Sequence, residues 1–413
     1  MTDATANDSA SAFESHLFRI GPTPYGGRGA FARQTILKGT DVLICTGPYV
    51  HVILRKFRRE ICAWCFAYAF EHGKNKWSVK LDEREQTPAG AWFCSNACRD
   101  RWIKHYGLGE EGAGAGADVE WWKVLNSGLE KMLVDRARSQ AQSQGKANDG
   151  QKGKKESLVQ LFETLEKITL EDVTPAFIEE TWDAVAIDKD LRTQLRLAPE
   201  SEIEMESARF VLDGLCRRAV EELQGVNKGH KNQDDPYEAP TVSAGTWTDF
   251  LELQENETPY VRWGPYMLKM YIRNYLLLKH LVSSLLRISN RPDSTRTKLS
   301  ASTLRILETM KGYLSSPATF RAITSRDPGN VFGIWDAAPA SQESEMLGWG
   351  AFSFGSYFNH GKQNRILVSM QKLTLRCRLR PESQKETRRK KHSFLCCARY
   401  PSRGGALYIL RGW

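Results

Sequence analysis

Four cysteines carry the most specific chemistry in the chain. Cys62 and Cys65 form a CxxC pair in "CAWCF", and Cys94 and Cys98 form a CxxxC pair in "FCSNAC". Two thiols on one turn supply two ligands, and two such turns supply the tetrahedral thiolate set of a closed, structural zinc site. The alternative is two unrelated pairs of reduced cysteines, and a disulfide is disfavoured in a reducing compartment. His105 offers a further ligand or a surface side chain. Cys45 and Cys216 lie in apolar runs and read as core thiols.

Two backbone features come next. "YGGRGAFA" places Gly27, Arg28 and Gly29 between two short strand-like runs, which alone describes little more than a hairpin turn. Near the other end, "GWGAFSFGSYFNH" mixes glycines and aromatics in a way that suits a packed ligand wall, ending on Asn359 and His360.

These groups must be positioned by elements of both kinds. Short β-type runs, "HLFRIG", "TDVLICTG" and "YVHVILR", open the chain, and "NVFGIWD" returns to that character from Asn330. Between them, "SLVQLFETLEKI", "SARFVLDGLCRRAVEEL" and the segment from Tyr266 to Ile288 space apolar residues at helical period. The class is α+β. "GLGEEGAGAGAD" reads as a linker, and "RSQAQSQGKANDGQKGKKES" is too polar to pack.

The 413 residues, 41% of them hydrophobic, can bury a sizeable core. Lys269, Arg273, Lys279 and His280 interrupt the most apolar run, so it reads as a core helix and not as a membrane span. The polar N-terminus lacks an apolar signal region, which points to the nucleus or the cytoplasm, or both. Net charge is +9, but 14 of the 58 basic residues and 2 of the 49 acidic ones lie in 361–413, leaving a balance of −3 over the preceding 360. The basicity belongs to the tail, and a direct nucleic-acid or membrane partner is not expected.

Taken in order, the "GRGAFA" turn, "GTDVLICTGPYVHV", the paired cysteines, a helical stretch, "NVFGIWD" and "SYFNH" resemble SET-domain protein lysine methyltransferases with an inserted MYND-type zinc finger. The resemblance implies a SET-type β fold, S-adenosylmethionine and zinc as cofactors, and a protein substrate, histone or other, that presents a lysine. It implies that Gly27, Arg28, Gly29, Asn359 and His360 cradle the cofactor and that Cys62, Cys65, Cys94 and Cys98 hold one zinc ion. A full finger of that type binds two ions; this one lacks the middle CxxC and a terminal cysteine, which leaves a bracing role and puts peptide binding in doubt. The implied organisation is a disordered 1–15, a first half of the SET domain at 16–61, the finger at 62–106, a helical insert at 107–325 with a disordered excursion near 136–157, a second SET part at 326–360, and an irregular basic tail at 361–413.

The tail departs from the family. After Asn-His the family continues Ser-Cys, one residue, Pro-Asn, where this chain has "GKQNRI". The family's catalytic tyrosine lies in a late "ELxISYG" strand that is missing, so no catalytic residue is assigned. "RYPSRGGALYILRG", from Arg399, back-translates to codons that give "DIPAGEELYISYG" when read one base later. Gly361-Lys362 can encode a splice-donor word and Cys377-Arg378 an acceptor, and excision between them yields "FNHGCVPN". The sequence therefore reads as intron-retained and frameshifted after His360, with Leu410 and Arg411 where Ser-Tyr belongs; the alternative is a divergent basic C-terminus. An enzyme impaired in this form is expected, or else a non-catalytic SET-like zinc protein acting as an interaction module.

Overall fold

In the computed structural model the described residues are 15–24, 27–37, 40–81, 90–109, 118–143, 165, 167–169, 171–187, 199, 201–225, 241–289, 299–336, 344–358, 366–369 and 373–377. For 134–143 and from 366 onward only the backbone is described. The expected disordered N-terminus up to position 14 lies outside this set, as does most of "SLVQLFETLEKI".

The strands are β1 (Phe18–Pro22), β2 (Arg28–Ala32), β3 (Asp41–Cys45), β4 (Val50–Ile53), β5 (Val79–Lys80), β6 (Trp92–Phe93), β7 (Thr241–Val242), β8 (Val331–Trp335), β9 (Met346–Ala351), β10 (Ile366–Ser369) and β11 (Leu373–Cys377). They form small sheets ordered β1-β2, β10-β11-β3-β7, β4-β9-β8 and β5-β6. Every pairing is antiparallel except β3 with β7. Close approach explains the glycines of β9: a Cβ on Gly348 would lie 2.2 Å from the Val52 carbonyl oxygen of β4.

The helices are α1 (Asn96–Tyr106), α2 (Glu120–Ser143), α3 (Pro175–Ile187), α4 (Glu202–Gln224), α5 (Trp247–Leu251), α6 (Glu257–Trp263), α7 (Tyr266–Ser289), α8 (Ala301–Tyr313) and α9 (Ala318–Thr324). Together with the small sheets they make a mixed α+β architecture. Side-chain caps start several helices: Ser95, Ser201 and Ser300 each accept from a backbone N–H three residues on, and Thr246 with Asp249 forms a reciprocal capping box. Gly225 ends α4 in the left-handed conformation.

Helix α4 lies at the centre, buried on most of its faces and packed on β4, α7, α8 and α9. That explains why its apolar pattern is dense rather than one-sided. Its buried acids are paired: Arg273 of α7 grips Glu204 through Nε at 2.6 Å and Nη2 at 2.8 Å. Among the described residues no helix is long and apolar enough to cross a membrane.

Two expectations are corrected here. The stretch expected to be disordered from 136 is helical through Ser143, because "RARSQAQS" is built largely of good helix formers. The tail is not irregular throughout: Ile366–Ser369 and Leu373–Cys377 form a hairpin whose second strand pairs with β3. Branched and aliphatic residues in "ILVS" and "LTLRC" suit strands, and β3 offers an edge that needs backbone partners. The rest of 361–413, including Leu410 and Arg411, lies outside the described residues.

Candidate functional site

The finger brings its thiols together through local turns. Cys62 and Cys65 flank a tight turn in which Cys62 N–H donates to the Ala67 carbonyl at 3.0 Å and Phe66 N–H to the Cys62 carbonyl at 3.0 Å. Cys94 directly follows β6, and Cys98 lies in the first turn of α1, where its N–H donates to the Ser95 cap at 3.2 Å. All four Sγ atoms lie within 4.8 Å of one another. Cys94 and Cys98 are 3.4 Å apart and Cys65 and Cys94 are 3.6 Å apart. Zinc bound tetrahedrally at about 2.3 Å to each sulfur needs sulfur atoms about 3.8 Å apart. The donor set and its convergence thus fit a structural zinc ion.

The protonation balance agrees with ligand duty. Hydrogen bonding from Cys65 and nearby backbone N–H groups pulls Cys62 down to about 5. The same bond, with burial, pushes Cys65 up, and burial raises Cys94 to about 11. One thiolate is already favoured, and a cation would displace the protons of its neighbours. Cys45 and Cys216 are buried thiols pushed up by burial, as expected of core cysteines.

His105 is neither a fourth-wall ligand nor a surface group. Its ring meets Trp64 edge-on at 5.4 Å and its Nε2 contacts Arg217 of α4. Burial and the Arg217 charge hold it down at about 3, so it stays neutral.

The second cluster forms around the glycine turn. Thr23 N–H donates to the Gly27 carbonyl at 3.0 Å and closes the turn, with Gly27 at φ +70°. A Cβ there would lie 2.3 Å from Gln254 Oε1, so the turn needs glycine for both conformation and space. Gly29 is buried within β2 opposite Gly21 of β1. From Arg28, Nη2 donates to the Glu252 carboxylate at 2.9 Å and to the Tyr357 hydroxyl at 3.2 Å. Its guanidinium also lies over the Tyr357 ring, 5.2 Å from the centroid.

Tyr357 belongs to the "SYFNH" segment, which approaches the turn as a short 3₁₀ turn, Gly355–Tyr357. Phe358 anchors it, meeting Phe18 of β1 edge-on at 5.0 Å in a core shared with Ala30, Val42 and Phe332. The two distant segments singled out in the sequence therefore meet at Arg28 and Tyr357. Asn359 and His360, the next two residues, lie outside the described set.

Sequence reasoning missed Glu252, Gln254 and Tyr357. Only the capping signal "TWTD" at Thr246–Asp249 marks the element that delivers the first two. Their roles arise from contacts across more than 200 residues of chain, which no local motif reports.

No protein-family model matches the chain. The chain is 24% identical over 369 residues, 84% of its own length and 79% of the relative's, to a Saccharomyces cerevisiae protein described as "Potential protein lysine methyltransferase SET6".

Proposed function

We propose that this chain derives from an S-adenosylmethionine-dependent protein-lysine N-methyltransferase of SET type with a reduced, MYND-like zinc finger. The observation that carries the reading is the contact of Arg28 with Tyr357, which joins the glycine turn to the segment leading into Asn359 and His360. The distant resemblance to a potential lysine methyltransferase supports it independently.

In this reading Gly27 lets backbone approach the cofactor without a side chain between them, and Arg28, Glu252 and Tyr357 offer the donors and acceptor that a nucleoside's hydroxyls require. Asn359 and His360 complete the cradle, and the four cysteines hold zinc to brace the fold. When bound, S-adenosylmethionine supplies an electrophilic methyl group for a neutral lysine amine on a histone or other protein. The chain's own task is to hold that amine in line and exclude water. That task lacks its tyrosine here, and Arg411 in its place would repel an incoming ammonium and supplies no hydroxyl. The tail reads as retained intron plus shifted frame, the working protein being the spliced one, in the nucleus or the cytoplasm.

Calorimetric titration with S-adenosylmethionine tests this directly. The 413-residue chain is expected to bind weakly or not at all, and the product spliced between Gly361 and Arg378 to bind and to methylate protein lysines. Micromolar binding or methyl transfer by the 413-residue chain overturns the account of its tail. A spliced product that neither binds nor transfers overturns the enzyme reading and leaves the second one, a zinc-braced interaction module. Transcript sequencing across the same codons shows which form is made.

A further inference from the structure

Asp327 opens the short turn Asp327–Asn330 between α9 and β8, and it is an acid without a cation. The nearest arginines along the chain are engaged elsewhere. Arg326 Nη1 pairs with Glu255 at 2.9 Å and its Nη2 donates to the Leu251 carbonyl at 2.7 Å, while Arg321 pairs with Glu257 and Glu179. Among the described residues no hydrogen bond or ion pair reaches the Asp327 carboxyl, and burial is the whole cause of its raised pKa.

Its surroundings are aromatic. The Asp327 charge acts on the hydroxyls of Tyr260 on α6 and Tyr271 on α7, and Tyr266 acts on the same two. Tyr260 stacks with Trp263 on the next turn, ring centroids 6.1 Å and planes 16° apart. Tyr266 folds back over Gly264, where a Cβ would lie 2.8 Å from its Cε1, yet it is 61% exposed. The group therefore opens to solvent at Tyr266. At its base Tyr271 is 1% exposed, and its hydroxyl has no hydrogen-bond partner among the described residues. A buried donor without an acceptor and a carboxyl without a donor thus share one aromatic surround, which calls for an explanation.

The chemistry narrows it. A carboxylate needs a positive partner, and ring faces make the same demand because their quadrupole attracts cations. A hard metal ion needs several oxygen ligands, whereas Glu257, the other acid that acts on Tyr271, is already held by Arg321. An alkylammonium meets both demands: its N–H donates to the carboxylate and its carbon substituents lie on the rings. N-methylation adds apolar surface for the rings and, in the mono- and dimethyl states, leaves an N–H for Asp327.

We propose that Asp327 with Tyr260, Tyr266 and Tyr271 forms a binding site for a methylated alkylammonium group, the side chain of mono- or dimethyllysine. The site stands apart from the methyltransferase reading, because its test needs neither cofactor nor turnover.

The full chain is titrated by calorimetry at pH 8 with the N-acetyl amide of dimethyllysine. The same derivatives of norleucine, which lacks the charge, of lysine, which lacks the methyl groups, and of arginine serve as controls. Saturable one-to-one binding of the dimethyl compound is expected, with each control weaker by about tenfold or more. Only the ionised carboxylate holds a cation, so affinity is expected to fall about tenfold from pH 8 to pH 6, across the Asp327 value of about 7. Asp327→Asn, a neutral isostere, and Tyr266→Leu, at an exposed ring, are each expected to weaken binding about tenfold with unfolding still cooperative. The second decides the matter if the first fails to fold. No saturation, any control binding as tightly, a flat pH profile, or a folded variant of either kind binding as well as the parent overturns the site.

Discussion

Gly27 combines a left-handed φ of +70° with a side chain, that of Gln254, pressed where a Cβ would stand. Gly27→Ala is expected to cost about 1–2 kcal/mol from backbone strain alone, read as a lower denaturant midpoint. Asp327, just beyond α9, makes a different demand. Burial pushes its carboxyl up to about 7, with Tyr260 and Tyr271 among its neighbours. Since the folded value exceeds the unfolded one, the folded state holds a proton that the unfolded state has lost. Stability from this group is therefore present below pH 3.8 and declines as pH rises towards about 7. Asp327→Asn is expected to match the parent at pH 4 and to exceed its stability at pH 8, measured by urea unfolding at both. An equal difference at the two pH values would falsify the assignment. Neither property was legible in sequence, because a left-handed φ and a carboxyl whose pKa is raised by partial burial are set by neighbours far along the chain. The types of the residues around them, glycine and aspartate, are consistent with many surface turns.

At the scale of elements, α4 and α7 are joined by the forked Arg273–Glu204 pair, whose side chains are 5% and 2% exposed. Removing one partner strands a buried charge, so Glu204→Ala is expected to cost about 3–5 kcal/mol. Replacing both with methionine is expected to recover much of that loss; equilibrium unfolding of the single and double variants measures it. The dense helical periodicity of "SARFVLDGLCRRAVEEL" and of Tyr266–Ile288 made both helices legible, since core helices repeat apolar residues at the helical period. The pairing between them was not, because an arginine and a glutamate in amphipathic sequence read as solvated face. Likewise "RARSQAQS" looked too polar to be ordered, while its intrinsic propensity extends α2 through it.

The whole molecule shares one main core between finger and helices. Cys62, Cys98, Phe93 and Trp102 belong to the same buried cluster as Phe210 of α4 and Leu278 of α7. If the four cysteines hold zinc as proposed, stripping it would release packing beyond the finger itself. Chelation, or Cys98→Ser, is expected to lower the melting temperature of a single shared transition by several degrees, followed by calorimetry alongside zinc release. A separate low-temperature transition for the finger would contradict that. The cysteine cluster was the most legible feature because short spacings alone bring two thiols onto one turn. That the glycine turn would come near the late Asn-His segment was expected only through resemblance, and its contact through Arg28 and Tyr357 was not expected at all, since composition and period say nothing of which distant turns touch.

Strand β3 lies between partners drawn from widely separated parts of the chain, β7 at 241–242 and β11 at 373–377. During synthesis its amide row on the β11 side waits for more than three hundred residues to emerge, roughly half a minute at translation speeds near 10 residues per second. Until then it is a template for any extended stranger. A nascent chain of this protein should accordingly depend on ribosome-associated chaperones more than its helical content suggests, and whichever C-terminal sequence the ribosome delivers, authentic or not, finds an edge ready to accept it.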